Sequence, residues 1–335
     1  MSERPPSTPP SRAKVIAAFA AVYLIWGSTY LAIRFAIETV PPFLMAAVRF
    51  LIAGAVLYLW VRMRGAPRPS PQNWLAALVV GGLLLFVGNG AVVWSEQHVP
   101  SGIVSLLVAT VPLWVVLLEW AAPGGRRPSR GIVAGIAMGF AGLGLLVGPD
   151  ALRGHGVIPI AGALVLVVAS IAWAAGSVLS RKLRLPKAPL LATAMEMLAG
   201  GVLLSVLSLA TAEWRDVSVA ALSTTSLLAL LYLIVFGSLI GFTAYIWLLG
   251  ASSPARASTY AYVNPVVAVF LGWAIANEPI SARTLLAAAI IIFAVVLITA
   301  GQHGQKAQDA QPRDPRPGRR AAPRSPRRVR AGSSG

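Results

Sequence analysis

The chain has 335 residues, of which 57% are hydrophobic and 12% charged, and its formal net charge is +17 at neutral pH. Soluble globular proteins have about 25% charged residues, so this composition is typical of an integral membrane protein. The excess Lys and Arg lie in the C-terminal tail and in short gaps between apolar runs, which leaves no basic face for nucleic acid.

Eight stretches free of Asp, Glu, Lys and Arg are long enough for a membrane-spanning helix, which needs about 20 mostly apolar residues. Two further stretches, 42–61 and 189–210, are each interrupted by one charge, Arg49 and Glu196. Pro, Gly and Ser fill the gaps between stretches, as turns require. The sequence therefore predicts ten membrane-spanning helices, and the eight uninterrupted stretches are 15–33, 69–95, 97–118, 131–149, 154–180, 217–255, 257–277 and 284–305.

The distribution of Lys and Arg predicts the orientation of these helices. If the N-terminus is cytoplasmic, 23 of the 28 Lys and Arg residues fall on the cytoplasmic side. Cytoplasmic connections carry the excess of Lys and Arg in multi-pass proteins. We therefore expect a multi-pass protein of the cytoplasmic membrane with both termini inside; the four that fall on the outer side are Arg34, Arg153, Arg215 and Arg283.

An internal repeat is the strongest signal in the sequence. At an offset of 153, residues 73–122 align with residues 226–275, and Gly88 meets Gly241 while Pro112 meets Pro265. Near the start of each half the offset is 147 to 149. There Gly27-Ser28 meets Gly176-Ser177, and in that alignment Arg34 has no basic counterpart at Leu183.

This repeat predicts an all-α integral membrane protein with ten transmembrane helices in two inverted five-helix repeats. Five is an odd number, so the second copy must enter the membrane upside down. Inverted repeats are a common architecture of secondary transporters, with the substrate site where the copies meet. The predicted segments are a cytoplasmic N-terminal segment (1–14), the two repeats (15–148 and 156–301) and a disordered basic cytoplasmic tail (302–335).

Several motifs resemble a known family: "WGSTYLAIR" (26–34), "AVRF" (47–50), the repeated proline and "NEPIS" (277–281). With the repeat, they are similar to EamA-type members of the drug/metabolite transporter superfamily over about residues 15–301. The resemblance implies an exporter or permease of small metabolites in the cytoplasmic membrane. One departure is visible, because the acidic residue after the fourth helix of a repeat survives as Glu278 but corresponds to Gly125 in the first half.

Aromatic and polar residues inside the predicted helices are the candidates for substrate contact. Most Trp and Tyr residues of membrane proteins instead anchor helices at the membrane surface. Residues deep in their helices are therefore favoured, namely Trp26, Asn89 and Trp173. The full set is Trp26, Ser28, Tyr30, Asn89, Trp94, Trp173, Ser177, Tyr245, Tyr260 and Asn264.

Arg34 and Arg49 are candidates for gating. Arg34 and Glu38 are four residues apart, a spacing that predicts an ion pair on one helix face, or alternatively an outer gate. Arg49 and Glu196 occupy equivalent repeat positions, about eight residues into their helices. Charges within a membrane are costly and usually face a bundle or cavity, although Arg49 could also snorkel to the headgroups.

Glu119 and Glu196 are the intramembrane carboxylates that could couple transport to protons, with helix-end or packing roles as the alternative. Pro112 and Pro265 are predicted to kink their helices and to free the carbonyl groups of Val108 and Ala261. Such carbonyls must find another partner or line a cavity.

No catalytic site, metal site or cofactor is predicted. Cysteine is absent, the motifs HExxH, GxSxG and GxxxxGK[ST] do not occur, and the three histidines fall in loops or the tail. Without ATP, transport must run on a gradient. The expected partners are a small-molecule substrate and membrane lipid, with no nucleic acid. The alternative is a membrane sensor or scaffold whose basic tail binds a partner.

Overall fold

The computed structural model describes residues 11–123, 125, 127–148, 158–215, 217–252, 256 and 259–310. Within these ranges the chain is helical and contains no strand. The long helices are α1 (Arg12–Ala36), α2 (Pro42–Met63), α3 (Pro71–Ser95), α4 (Ser101–Ala121), α5 (Arg130–Val147), α6 (Ile160–Ser180), α7 (Pro189–Ala210), α8 (Thr224–Leu249), α9 (Tyr260–Ala276) and α10 (Ala282–Ala310).

In the described part of the chain, nine of these helices are long and apolar enough to cross a membrane. The exception is α9, which has 17 residues and therefore spans roughly 26 Å, against a hydrocarbon core of about 30 Å. Large apolar side chains point outward from the bundle; Leu24, Leu59, Leu164 and Leu209 are each about 60% exposed. Such a surface suits lipid, and the protein is a multi-pass membrane protein.

Serine and proline define the starts of most helices. The side chains of Ser70, Ser129 and Ser223 accept hydrogen bonds from backbone N–H groups in the first turns of α3, α5 and α8. Pro42 and Pro189 occupy the first turns of α2 and α7, where a missing N–H costs nothing. The turn residues of the sequence thus mark the observed boundaries to within a few residues.

Two helices contain a wider, π-helical stretch at corresponding places. It covers Gly82–Asn89 in α3 and Leu233–Ile240 in α8. Such stretches are rare and often occur at functional sites. The sequence pattern did not predict either of them.

The sequence predicts that Pro112 lies inside a continuous helix, but the structure shows an interruption there. Helix α4 is interrupted after Val108, and a second segment begins at Val111 with Pro112 in its first turn. Proline is favoured in a first turn because its ring fixes a helical φ angle there, so the chain restarts the helix instead of bending it. Pro265, by contrast, does lie within α9.

The packing pairs the helices α1–α5, here called the first half, with the helices α6–α10, the second half. Helix α2 packs on α7, and α5 packs on α10. Helix α1 packs on α8 and α9, and in the same way α6 packs on α3 and α4. Each half therefore places its first helix against the third and fourth helices of the other.

Glycines allow several of these contacts. A Cβ atom added to Gly81 of α3 would overlap the backbone carbonyl oxygen of Glu196 on α7. One added to Gly142 of α5 would lie 2.8 Å from Ile291 on α10. Small residues let helix backbones approach closely, which is a main source of helix association in lipid.

The connections gather at two ends of the bundle. The acidic end contains the connections after α1, α3, α7 and α9, with Glu96, Glu213 and Glu278. There Glu213 accepts hydrogen bonds from the backbone N–H groups of Phe43 and Leu44 at the start of α2. The basic end contains the connections after α2, α4 and α6.

Helix α10 extends to Ala310, past the predicted start of the tail at residue 302. Residues 302–310 include three Gln, two Ala and one Lys, which favour a helix, and they contain no Pro that would end it, although Gly304 is a poor helix former. The rest of the predicted tail, residues 311–335, lies outside the described residues, as does the predicted N-terminal segment up to residue 10.

The close approach of α3 to α7 leads to a test of the packing. Gly81→Ala is expected to destabilise the protein by about 1–3 kcal/mol, because the added methyl group collides with backbone rather than with a movable side chain. Gly144→Ala is the control, since a Cβ there meets nothing within 4 Å and alanine favours a helix. Thermal unfolding of the detergent-purified variants measures the difference; equal melting temperatures would contradict this packing.

Candidate functional site

Four aromatic side chains from three helices meet at the contact between the halves. Trp26 of α1 contacts Phe242 and Tyr245 of α8 and Tyr260 of α9, with ring centroids 5.1 to 5.2 Å apart. Tyr245 and Tyr260 also lie edge to face at 5.3 Å. These residues form what we call the aromatic cluster, and three of the four were predicted as candidates from the sequence.

A tryptophan of each half packs on a glycine of the other half. Trp26 donates a hydrogen bond from Nε1 to the backbone oxygen of Gly237, at 3.1 Å, and its ring covers Gly241. Trp173 of α6 lies against Gly88 of α3. Since Gly88 and Gly241 are equivalent in the repeat, and the two tryptophans are 147 residues apart, these are the same contact made twice.

This register corrects the alignment of the Gly-Ser pairs. Gly27 packs against Val267 on α9, whereas Gly176 packs against Leu84 on α3. Ser28 bonds the Tyr232 hydroxyl at 2.7 Å, across the halves. The two pairs therefore have different neighbours, because the packing follows the offset of 147 and not the offset of 149.

Both serine hydroxyls donate within their own helices, Ser28 to the Ile25 carbonyl oxygen at 2.9 Å and Ser177 to the Trp173 carbonyl oxygen at 2.8 Å, and Ser28 differs by its added bond to Tyr232. Trp94 lies outside the aromatic cluster. It contacts His98 at the acidic end, with ring centroids 5.4 Å apart, as expected of a surface anchor.

Two buried asparagines present unused acceptors. The Oδ1 atoms of Asn89 on α3 and Asn264 on α9 have no hydrogen-bond partner among the described residues, and both side chains are only 8% exposed. Unpaired buried amide oxygens are costly. The two Oδ1 atoms can accept hydrogen bonds from a ligand that carries N–H or O–H donors, which would remove this cost.

Arg34 and Glu278 form an ion pair at the acidic end. Arg34 Nε lies 3.7 Å from Glu278 Oε1, so Arg34 is directed to Glu278 and not to the predicted partner Glu38. Glu278 also accepts hydrogen bonds from the backbone N–H groups of Ser101 and Gly102, at 2.8 and 3.0 Å. A side chain of the second half thus caps the start of α4 in the first half.

Arg49 is buried inside the protein, with 4% of its surface exposed, so the snorkelling interpretation is wrong. Its Nε donates to Ser238 Oγ on α8 at 3.0 Å, and its guanidinium lies 4.8 Å from the centre of the Phe50 ring. Its Nη1 atom has no hydrogen-bond partner among the described residues. Arg49 therefore faces the other half and does not contact Glu196.

Glu96, directly after the last residue of α3, is the functional candidate that the sequence reasoning missed. Glu96 lies at the boundary of two apolar runs and is the single Asp, Glu, Lys or Arg residue between positions 69 and 118. The side chain is 2% exposed, and neither carboxyl oxygen has a hydrogen-bond partner among the described residues. That isolation between two apolar runs was the available signal.

The surroundings of Glu96 oppose its ionisation. Burial, followed by the nearby carboxylate of Glu278, holds the pKa of the Glu96 carboxyl well above its ordinary value. The guanidinium groups of Arg34 and Arg49 act in the opposite direction but do not outweigh burial. We call Arg34, Arg49, Glu96 and Glu278 the charge cluster.

A second ion pair joins the halves at the basic end. Arg181, which directly follows α6, pairs with Glu119 of α4. Arg181 is 147 residues after Arg34, so Arg34 does have a basic counterpart, and its alignment with Leu183 is wrong. Glu196 is partly buried on α7, and no hydrogen bond or ion pair of its side chain occurs among the described residues.

Comparison with known proteins gives a consistent result. The model of the EamA-like transporter family matches residues 13–148 and again residues 160–300. The chain is 43% identical over 284 residues to the "Uncharacterized inner membrane transporter YedA" of Escherichia coli strain K12, which covers 84% of this chain and 90% of that protein. It is 27% identical to the "Uncharacterized transporter YoaV" of Bacillus subtilis strain 168, covering 83% and 94%. A crystal structure of a protein with 24% identity shares the fold, with a TM-score of 0.58 over 87% of this chain and 99% of that chain.

The buried carboxyl predicts a specific pH dependence of stability. Between the ordinary Glu value of about 4.3 and the raised value, the folded state binds more protons at Glu96 than the unfolded state, so the free energy of unfolding falls as pH rises. Glu96→Gln removes this term. The melting temperature of Glu96→Gln minus that of the native protein should therefore be larger at about pH 8 than at about pH 5.

Glu38→Gln is the control, because Glu38 is an exposed carboxylate at the same end. Its melting curves should follow those of the native protein at every pH. A Glu96→Gln profile parallel to the native one would contradict the assignment of a raised pKa to Glu96.

Proposed function

This chain belongs to the EamA-like transporter family, and from that membership we propose that it is a secondary transporter that exports small metabolites across the cytoplasmic membrane by alternating access. The solutes are amino-acid-like or drug-like. The family match supports transport in general. The direction, the solute class and the mechanism rest on the arguments that follow.

The proposed architecture is two inverted five-helix repeats, residues 15–148 and 156–301, with α9 as the shortest of ten crossings. Three features support it: the doubled family match, the reciprocal helix packing, and the π-helical stretches at equivalent places. The Lys and Arg distribution supports cytoplasmic termini, and with that orientation the acidic end would face the outside.

The observation that carries the mechanism is the contact that each half makes with the other. Trp26 on Gly241 and Trp173 on Gly88 are equivalent contacts. In an inverted repeat, equivalent contacts face opposite sides of the membrane. Exchanging the conformations of the two halves then converts an outward-open form into an inward-open form of similar energy.

The two ion pairs between the halves are assigned as gates. Arg34–Glu278 closes the outer, acidic end, and Arg181–Glu119 closes the inner, basic end. Each open state requires that one pair separate while the other remains. Both pairs are formed here, as expected of a conformation between the two open states.

The gates differ in strength. Arg181 and Glu119 are 54% and 39% exposed, and exposed pairs contribute about 0–1 kcal/mol. Glu278 is 7% exposed and also bonds two backbone N–H groups, so removing its partner leaves a buried group to be solvated. The inner end should therefore open more readily, which suits a protein that collects solutes from the cytoplasm.

Transport is testable by counterflow in proteoliposomes. Labelled amino acids and drug-like amines should show saturable flux, and Trp26→Leu should lower that flux because it removes the centre of the aromatic cluster. Trp94→Leu, at the acidic end and outside the cluster, is the matched control and should retain flux. An absence of saturable flux across a broad panel would leave the sensor or scaffold alternative.

Charge exchange tests the two gates separately. Arg181→Glu and Glu119→Arg should each reduce flux by up to about fivefold, equivalent to about 1 kcal/mol, and the double exchange should restore it because the pair is exposed. The double exchange Arg34→Glu with Glu278→Arg should not restore flux. Arginine has no acceptor for the N–H groups of Ser101 and Gly102. Equal rescue at both ends would contradict the distinct roles of the pairs.

A further inference from the structure

Among the described residues, three carboxylates are buried at the acidic end, and two of them have both oxygens hydrogen-bonded. Glu213 and Glu278 each place both carboxyl oxygens on backbone N–H groups at the start of a helix. Glu96 is as deeply buried, at 2% exposure, yet both of its oxygens lack a hydrogen-bond partner among the described residues. The fold satisfies the first two side chains and leaves the third available.

Ionisable groups surround Glu96 from several packed elements. Helix α1 contributes Tyr30 and Arg34, helix α2 contributes Arg49, and the connection between α9 and α10 contributes Glu278. Arg49 is held by Ser238 through Nε and has an unpaired Nη1. Glu96 therefore lies among two guanidinium groups, one carboxylate and one phenol.

A buried carboxylate without hydrogen bonds is several kcal/mol less stable than one in water, so the observed arrangement suits the neutral acid. An ionised Glu96 would need a guanidinium group as partner. Arg49 donates a hydrogen bond to Ser238 on α8, whereas Arg34 is 39% exposed and its Nε lies 3.7 Å from Glu278 Oε1, beyond hydrogen-bond distance. Arg34 is thus the cation that is freer to move.

We propose that Glu96 is a proton-binding site of this transporter, and that loss of its proton transfers Arg34 from Glu278 to Glu96 and opens the acidic end. The carboxylic acid gives its proton to water at that end and becomes a carboxylate. Arg34 keeps all its protons and changes only its ion-pair partner. The inference rests on the gate assigned to Arg34 and Glu278, but not on the identity of the solute.

The chain contains no cysteine, so thiol-reactive spin labels can be attached to the full-length protein at chosen positions alone. Glu38→Cys and Ala282→Cys place two labels on exposed positions of the acidic end, at the end of α1 and the start of α10. Pulsed electron paramagnetic resonance in lipid nanodiscs then measures the distance between them as the pH is varied.

The distance should increase with pH in the native background as Glu96 loses its proton. Glu96→Gln cannot ionise and should keep the short distance at every pH. Glu196→Gln, which removes the carboxyl at the position equivalent to Arg49, is the matched control and should retain the pH-dependent increase. The proposal is overturned if the native distance does not change, if Glu96→Gln still responds, or if Glu196→Gln also abolishes the response.

A second variant keeps the proposal testable if Glu96→Gln does not fold. Glu96→Asp retains a carboxyl group on a shorter side chain, so its opening should persist with a shifted midpoint pH. An unchanged midpoint would overturn the proposal.

Labels at the basic end separate this inference from the proposed function. Arg68→Cys and Lys182→Cys, both exposed, should move closer as the acidic end opens if access alternates. A Glu96-dependent opening without this reciprocal closing would contradict alternating access while leaving the proton site in place. Saturable flux without any pH response at the acidic end would overturn the proton site at Glu96 while leaving the proposed transport function in place.

Discussion

Inside the hydrocarbon layer there is no water to solvate a polar group, and each such group must be bonded within the protein or made neutral. The start of a helix is the most demanding place, because its first N–H groups have no partner in the helix. At the acidic end these groups are satisfied by carboxylates from the other half: Glu213 reaches α2 and Glu278 reaches α4. The second half therefore completes two helices of the first half, and separating the halves would expose both the carboxylates and the N–H groups.

The second link between the halves is steric. A tryptophan of one half covers a glycine of the other, and the contact occurs twice. Because glycine has no side chain, the indole ring lies directly against the helix backbone, where Trp26 also finds a carbonyl acceptor in Gly237. This contact fixes how far α1 and α6 slide along their partner helices, and with them the positions of Arg34 and Arg181.

Much of the fold could be predicted from the sequence, because spanning helices are limited by length and hydrophobicity, and turns by Pro, Gly and Ser. Trp26, Tyr245 and Tyr260 are candidates from the sequence because they are aromatic residues inside predicted helices, but the sequence does not show that they lie together. The ion-pair partners across the halves could not be predicted. The spacing of Arg34 and Glu38 is visible in the sequence, whereas the approach of Glu278 to Arg34 depends on tertiary packing. The sequence isolates Glu96 between two apolar runs, but its burial depends on tertiary packing, which the sequence does not show.

The π-helical stretches in α3 and α8 have a geometric consequence for the residues that follow them. An α-helix turns by about 100° per residue, so each extra residue taken up by a wider turn rotates the remainder of the helix by that angle. Phe242 and Tyr245 follow the stretch in α8, and Trp94 follows the one in α3. A helical wheel drawn through either helix without interruption would assign these side chains to the wrong faces. Mutational scans of the two helices should therefore show periodicities that change phase midway along the membrane.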